Sequence, residues 1–210
     1  MTDDVHVLDH PLIQHKLTLM RKKETSTTSF RRLLNEIGTL MAYEVTREMP
    51  MHDVEIETPL ETAPFPRIAG KKVAVTPVLR AGVGMLDGVL SLISSARVGF
   101  IGMYRDEETL QPVQYFVKLP ADMNDRDAIV LDPMLATGNS SAAAIEVVKE
   151  AGARTVTLVC LVAVQEGIDR VHRDHPDVHI VCAAIDRELD ERGFIVPGLG
   201  DAGDRLYGTK

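Results

Sequence analysis

The 210-residue chain has no tryptophan, and aromatic residues make up only 4% of it. Little is available for stacking on bases, which disfavours a platform for single-stranded nucleic acid. Positive charge is scarce as well: 23 Lys and Arg stand against 31 Asp and Glu, a formal net charge of −8 with histidine neutral. A polyanionic macromolecule is a poor first partner for such a surface. Cys160 and Cys182 are the only cysteines, each inside a β-branched apolar run, TVTLVCLVA and VHIVCAAI. They read as buried reduced thiols rather than a bridge or a metal pair, which suits the cytoplasm. No apolar run approaches the ~18 residues of a membrane span. The start, MTDDVHVLDH, lacks the basic stretch and apolar core of a targeting segment. The expectation is a cytoplasmic protein with no membrane and no nucleic-acid partner.

What is present is ordinary for a globular chain: 45% apolar and 26% charged residues, which excludes disorder. A chain of this length buries roughly 70% of its unfolded surface without a staple. One domain over residues 1–210 is therefore expected. Residues 29 to 47 place Phe30, Leu33, Leu34, Ile37, Leu40, Met41 and Val45 on one face behind a Ser/Thr-rich cap, the pattern of an amphipathic helix. Residues 51 to 70 carry an alternating VEIE and then Pro59, Pro64 and Pro66, which predicts an edge strand followed by a loop. From KKVAVTPVL onward, apolar β-branched runs alternate with helical periodicity: ARVGFIGMY, PVQYFVKLP, DAIVLDPM, TVTLVCLVA and VHIVCAAI as strands, with helices between several of them. That alternation predicts an α/β fold with a mainly parallel sheet covered by helices on both faces. The charged, turn-like MYRDEETLQP predicts a hairpin arm projecting between two strands.

One segment carries chemistry. In DAIVLDPMLATGNSSAAAIEVV a buried strand ends at Asp132, and a Thr-Gly-Asn-Ser-Ser turn then opens an Ala-rich helix. The first N–H groups of a helix lack intrahelical partners and the dipole adds positive potential, so Thr137, Gly138, Asn139, Ser140 and Ser141 form an anion cradle. The same residues also suit a plain helix cap at Ser140 and a plain strand end at Asp132, and the loop alone leaves both readings open. It lacks the Gly-Lys-Ser/Thr of a Walker loop and the G-x-G-x-x-G of a dinucleotide site.

DPMLATGNS resembles the phosphoribosyl pyrophosphate (PRPP) loop of the type I phosphoribosyltransferases. Its Asp-Pro-Met-Leu-Ala-Thr-Gly wording is similar to the uracil phosphoribosyltransferase branch of that family. TPVLRAGVGMLDG, GMYRDEETLQPVQYFVKLP and FIVPGLGDAGDR agree with the branch in the same order along the chain. The resemblance implies the type I fold, with a small hood from the chain termini and a β-hairpin arm, and the reaction uracil + PRPP → UMP + pyrophosphate in pyrimidine salvage. It also implies PRPP contacts from Arg80, Arg105, Asp132, Pro133, Met134, Leu135, Ala136, Thr137, Gly138, Asn139, Ser140 and Asp201. Arg80, Arg105 and Asp132 are the implied catalytic residues, the two arginines neutralising the pyrophosphate. Uracil falls to the backbone of Ile195 and to Gly200, Asp201 and Ala202.

Mg²⁺ is expected with a pyrophosphate substrate, indirectly through Asp132 or Asp201, and GTP as an allosteric activator follows from some members of the family, with no residue assigned to it. A homodimer or higher homo-oligomer is expected, because the helix at 29 to 47 and the arm would leave apolar surface on a monomer. Asp204 and Arg205 are expected to pair structurally. Asn139 stands where the family usually has glycine, Phe194 where it usually has tyrosine, and Ser94 and Ser95 replace a proline-containing turn. An alternative function on the same fold is a PRPP-sensing regulatory RNA-binding protein, which the acidic balance speaks against.

Overall fold

The computed structural model describes residues 5–70, 73–105 and 112–209. It opens with β1 (Val5–Val7), α1 (Pro11–Arg21) and α2 (Thr27–Val45), then β2 (Met51–Glu57) and β3 (Thr62–Ile68). Next come β4 (Ala74–Leu79), α3 (Val83–Leu92), β5 (Arg97–Val98), β6 (Phe100–Arg105) and β7 (Pro112–Lys118). β8 (Ala128–Leu131), β9 (Met134–Leu135), α4 (Asn139–Glu150), β10 (Val156–Val164), α5 (Gln165–Asp174) and β11 (His179–Asp186) build the second half. The chain closes with β12 (Glu188–Leu189), β13 (Ile195–Val196) and α6 (Ala202–Tyr207).

The central sheet runs in the order β1-β11-β10-β8-β4-β6-β7, with β5 beside β4 and β9 beside β10. All its pairings are parallel except β6 with β7, which agrees with the alternating grammar of the sequence. On one face α1, α2 and α3 bury Leu17, Phe30, Leu34, Ile37 and Met85 against Leu131, Val159 and Val181. On the other, α4 and α5 bury Ile145, Val148, Ile168 and Val171 against Val130, Leu158 and Ile180. The amphipathic helix spans 27 to 45, with Ser26 accepting the Ser29 N–H at its start. Cys160 and Cys182 face each other in register on β10 and β11, buried and free.

One feature of this topology locates the site. From β4 the chain moves to β6 on one side, whereas from the adjacent β8 it moves to β10 on the other. Connections that leave neighbouring parallel strands in opposite directions open a crevice at the strands' carboxyl ends, the usual ligand position in an open α/β sheet.

Three segments differ from the sequence expectation. The loop expected after the edge strand is itself a strand: β3 pairs with β2 over seven residues, with Pro64 opposite Glu55 and Pro66 opposite Asp53. Both strands of a two-stranded sheet are edges, so a proline there turns its missing N–H outward without breaking a ladder. β1 and α1 were not foreseen, although Pro11 in the first helical turn and Ile13, Leu17 and Met20 on the buried face are helix signals. The glycine-rich C-terminal stretch ends in α6, capped by Asp201. The hairpin arm exists as antiparallel β6 and β7, with its tip outside the described residues.

Candidate active site

Arg80 follows β4 and Asp132 follows β8, so the two neighbouring strands deliver a guanidinium and a carboxyl to one cleft of about 230 Å³. Arg80 is half exposed. Its Nη2 lies 3.5 Å from Asp204 Oδ1, its guanidinium 5.9 Å from the Tyr207 ring, and its carbonyl accepts the Tyr207 hydroxyl at 3.1 Å. The guanidinium thus rests on α6 while Arg80 also lines the cleft, where a guanidinium fork suits phosphate oxygens. Asp132 accepts from the Ser141 hydroxyl at 2.7 Å and from the Met134 N–H at 3.4 Å. Burial pushes its carboxyl pKa up, and those two hydrogen bonds oppose the shift only in part.

Between Asp132 and α4 the chain is pinned from below. The Pro133 carbonyl accepts from Leu161 N and Val162 N, and Met134–Leu135 runs as β9 along β10. Gly138 then adopts φ 78°, and a Cβ there would come within 2.7 Å of the Gly167 carbonyl at the start of α5. Only glycine meets both the left-handed backbone and that approach at low cost. The turn brings the start of α4 to the cleft, where Thr137, Gly138, Ser140 and Ser141 form the lining with Met134 and Ala136.

Pro133, Leu135 and Asn139 do not line it. Leu135 is fully buried in the core, and Asn139 Oδ1 accepts from Arg170 Nε at 2.9 Å, in a group that also joins Arg170 to Asp174. The asparagine side chain therefore ties the loop to α5 instead of reaching into the cleft. Asn139→Gly is expected to keep kcat within about threefold and to lower the melting temperature by about 3–6 °C, the loss of one charge-assisted hydrogen bond from Arg170 that water partly screens. A total loss of activity in the folded variant would contradict that assignment. Arg105 ends β6 opposite Pro112, and its side chain lies outside the described residues.

A second pocket of about 220 Å³ adjoins the first and shares Met134, Ala136 and Gly193 with it. Ile195, Gly200, Asp201 and Ala202 line it, together with Arg192 and Phe194. Asp201 belongs to this pocket rather than to the first, and its Oδ1 accepts the Asp204 N–H at 2.8 Å as the cap of α6. The wall is held from a distance. Arg21, at the end of α1, makes a two-pronged pair with Asp186 at 2.7 Å on each oxygen and donates to the Gly198 carbonyl at 2.7 Å. Asp186 in turn accepts the Gly198 N–H at 2.8 Å. Arg205 donates to the carbonyls of Leu199 and Lys22 and covers the Phe30 ring at 4.6 Å, while Asp204 accepts from Thr209 and faces Arg80. The two residues expected to pair thus have different partners. Sequence reading missed Arg21, Asp186, Arg192 and Gly193; a lone basic residue ending a helix carries no local sign of a carboxylate 165 positions away.

Among the described residues no cluster of three or more His, Cys, Asp or Glu could hold a metal ion. Asp132 and Asp201 each already accept backbone or hydroxyl donors. That donor set fits an ion that arrives on substrate oxygens and water, which is how Mg²⁺ is commonly held beside a pyrophosphate, and not a cage made by protein alone.

A family model described as "Uracil phosphoribosyltransferase" matches residues 7–209. Curated relatives named uracil phosphoribosyltransferase include one from Paracoccus denitrificans, 62% identical over 204 residues and 97% of each chain. Another, from Acidovorax ebreus, is 60% identical over 207 residues and 99% of each chain. Among solved structures, the AQ2163 protein from Aquifex aeolicus superimposes with a TM-score of 0.93 at 34% identity, covering 98% of this chain and 99% of that one. An adenine phosphoribosyltransferase from Trypanosoma brucei, solved with AMP, pyrophosphate and ribose-5-phosphate, shares the fold with a TM-score of 0.61 at 11% identity, covering 96% and 90%.

Proposed function

Because the chain belongs to the uracil phosphoribosyltransferase family, we propose that its two adjoining pockets hold the two halves of one nucleotide-forming reaction, uracil + PRPP → UMP + pyrophosphate. The observation that carries this reading is the shared wall: Met134, Ala136 and Gly193 border both the helix-start cradle and the glycine-lined pocket. A base in one and a ribose 5′-phosphate in the other would meet at the anomeric carbon. There the bond to pyrophosphate breaks, the bond to uracil N1 forms, and the N1 proton leaves to solvent or product phosphate.

The transition state gathers positive charge on the ribose and negative charge on the departing pyrophosphate. Positioning and electrostatics then do most of the work, with no protein nucleophile. The α4 N–H groups with Thr137, Ser140 and Ser141 hold the 5′-phosphate. Arg80, with Arg105, neutralises the pyrophosphate. Asp132 accepts the ribose hydroxyls, and its carboxylate stabilises the cationic sugar. Asp132 and Asp201 are the carboxylates that would help hold Mg²⁺, which when bound would neutralise charge on the pyrophosphate. Uracil presents two carbonyl acceptors and an N3–H donor to the backbone of Ile195, Gly200 and Ala202. Cytosine lacks that N3–H, so it leaves a backbone acceptor unpaired at a cost of about 1–3 kcal/mol.

The chain acts as one catalytic domain in pyrimidine salvage, in the cytoplasm. Two buried free thiols suit that compartment, and no helix among the described residues is long and apolar enough to cross a membrane. A homodimer or higher assembly covers exposed apolar side chains such as Leu60, Phe65, Tyr115 and Phe116. GTP remains an activator by family likeness alone. The RNA-binding alternative has no observation in its favour on a chain of net charge −8.

Incubation with PRPP, Mg²⁺ and each of uracil, cytosine, hypoxanthine and adenine, with and without GTP, tests the reading. UMP and pyrophosphate in equal amounts from uracil alone are expected; folded protein that forms no UMP contradicts it. Arg105→Ala is expected to lower kcat by about 100-fold and to change the uracil KM by less than about threefold, the signature of a contact made to the leaving group in the transition state. An unchanged kcat would remove Arg105 from that role.

A further inference from the structure

The turn from Asp190 to Phe194 connects β12 to β13 and supplies Arg192, Gly193 and Phe194 to the wall of the second pocket. Two strands of two residues each are too short to fix such a turn by themselves. One side chain closes it. Asp190 Oδ1 accepts from the Arg192 N–H at 2.9 Å and from the Phe194 N–H at 2.8 Å. The main chain adds Asp190 N to the Phe194 carbonyl and Gly193 N to the Asp190 carbonyl, both at 2.8 Å. Gly193 sits at the apex with φ 78° and borders both pockets, while the Arg192 guanidinium lies 5.5 Å over the Phe194 ring. Both side-chain hydrogen bonds and both main-chain hydrogen bonds that close this turn involve Asp190, which itself lines neither pocket.

We propose that Asp190 is a positioning residue for the pyrimidine base: it holds the turn in its binding-competent form before substrate arrives, and so sets base affinity without touching the base. The physical reason is preorganisation. When a binding-competent conformation is only a fraction of the population, the apparent dissociation constant rises by the inverse of that fraction. The phosphate cradle stands on β9 and α4, away from the turn except at Gly193, so the PRPP side is spared. The proposal rests on the reading of the second pocket as the base site, and the two are separable by experiment.

The chain has no tryptophan, so Phe194→Trp would place its sole indole at this rim. Its emission is titrated with UMP and with ribose 5-phosphate. A response to UMP and none to ribose 5-phosphate is expected. Absence of any UMP response, in a variant that still makes UMP, overturns the base-site reading and the proposal with it. Adding Asp190→Ala is expected to weaken UMP binding at least about tenfold, the scale of losing two backbone hydrogen bonds to a carboxylate. In the otherwise native chain Asp190→Ala should raise the uracil KM by a similar factor, with the PRPP KM and kcat within about twofold. Asp190→Asn keeps an oxygen for both N–H groups and should return the uracil KM to within about threefold of the native value. An unchanged uracil KM in the alanine variant, an equal rise in both KM values, or an asparagine variant as weak as the alanine one overturns the role of Asp190 while the UMP titration leaves the base site standing. The native-chain kinetics decide alone if the tryptophan variant fails to fold.

Discussion

Arg21→Ala is expected to lower the stability of the protein by about 3 kcal/mol, because it strands Asp186 as a lone carboxylate whose side chain is only 6% exposed. The figure is the low end for a broken buried pair, since Arg21 keeps 23% exposure and part of the field is screened by water. For a chain of this size it corresponds to a fall of about 6–12 °C in melting temperature. The loss is directional as well as global. Arg21 also donates to the Gly198 carbonyl, and Asp186 accepts the Gly198 N–H, so the segment that leads into Gly200 and Ala202 loses its anchor. UMP binding should therefore weaken more than ribose 5-phosphate binding. Arg21→Lys restores the charge without the fork that meets both carboxylate oxygens, so it should recover only part of the stability. Thermal melts with titrations of both ligands check this; a melting temperature within about 2 °C of native would show that the pair anchors nothing.

Asp132→Asn is expected to separate stability from activity. Burial holds the Asp132 pKa above its unfolded value, so the folded state disfavours the ionised form. The sign follows from linkage: the contribution of this carboxyl to stability is fully present below its unfolded pKa and is lost as pH rises through its folded pKa. Near neutral pH the native carboxylate therefore costs stability, and a neutral amide of the same shape removes that cost. The variant should melt at or above the native temperature at pH 7, with the difference shrinking as pH is lowered towards 4. UMP formation should fall by about 100-fold in kcat/KM, the scale of losing an ionised partner for the reacting sugar. Native-like turnover in the amide variant would exclude a charged role for Asp132, and a lower melting temperature at pH 7 would contradict the direction of its shift.

The parts of this molecule legible in the sequence are those whose cause is local. A period of 3.6 residues marked α2, β-branched runs marked β8, β10 and β11, and the strand-turn-helix order placed the turn at Gly138 proposed as a phosphate cradle. The alternation of strands and helices was enough for a parallel sheet, though not for the switch between β4 and β8 that opens the crevice, since strand order is a property of the whole chain. β3 was hidden by its own prolines, which are tolerated because neither strand of its sheet has a second neighbour. Asn139 showed its chemistry but not its partner, Arg170, which arrives on α5. The second pocket, proposed for the base, was the least legible. Its glycines were visible, but its wall is held by Arg21, Asp186 and Arg205, whose partners lie across the fold, and by Asp190, whose partners are local but whose place beside the pocket is not.

A crystal structure of the protein with UMP tests the central claim most directly. The 5′-phosphate is expected at the start of α4, within hydrogen-bond distance of the N–H groups between Thr137 and Ser141, with the ribose hydroxyls at Asp132 and the uracil ring against the backbone of Ile195, Gly200 and Ala202. A nucleotide bound with its phosphate elsewhere, or with its base outside the pocket between Phe194 and Ala202, would contradict it.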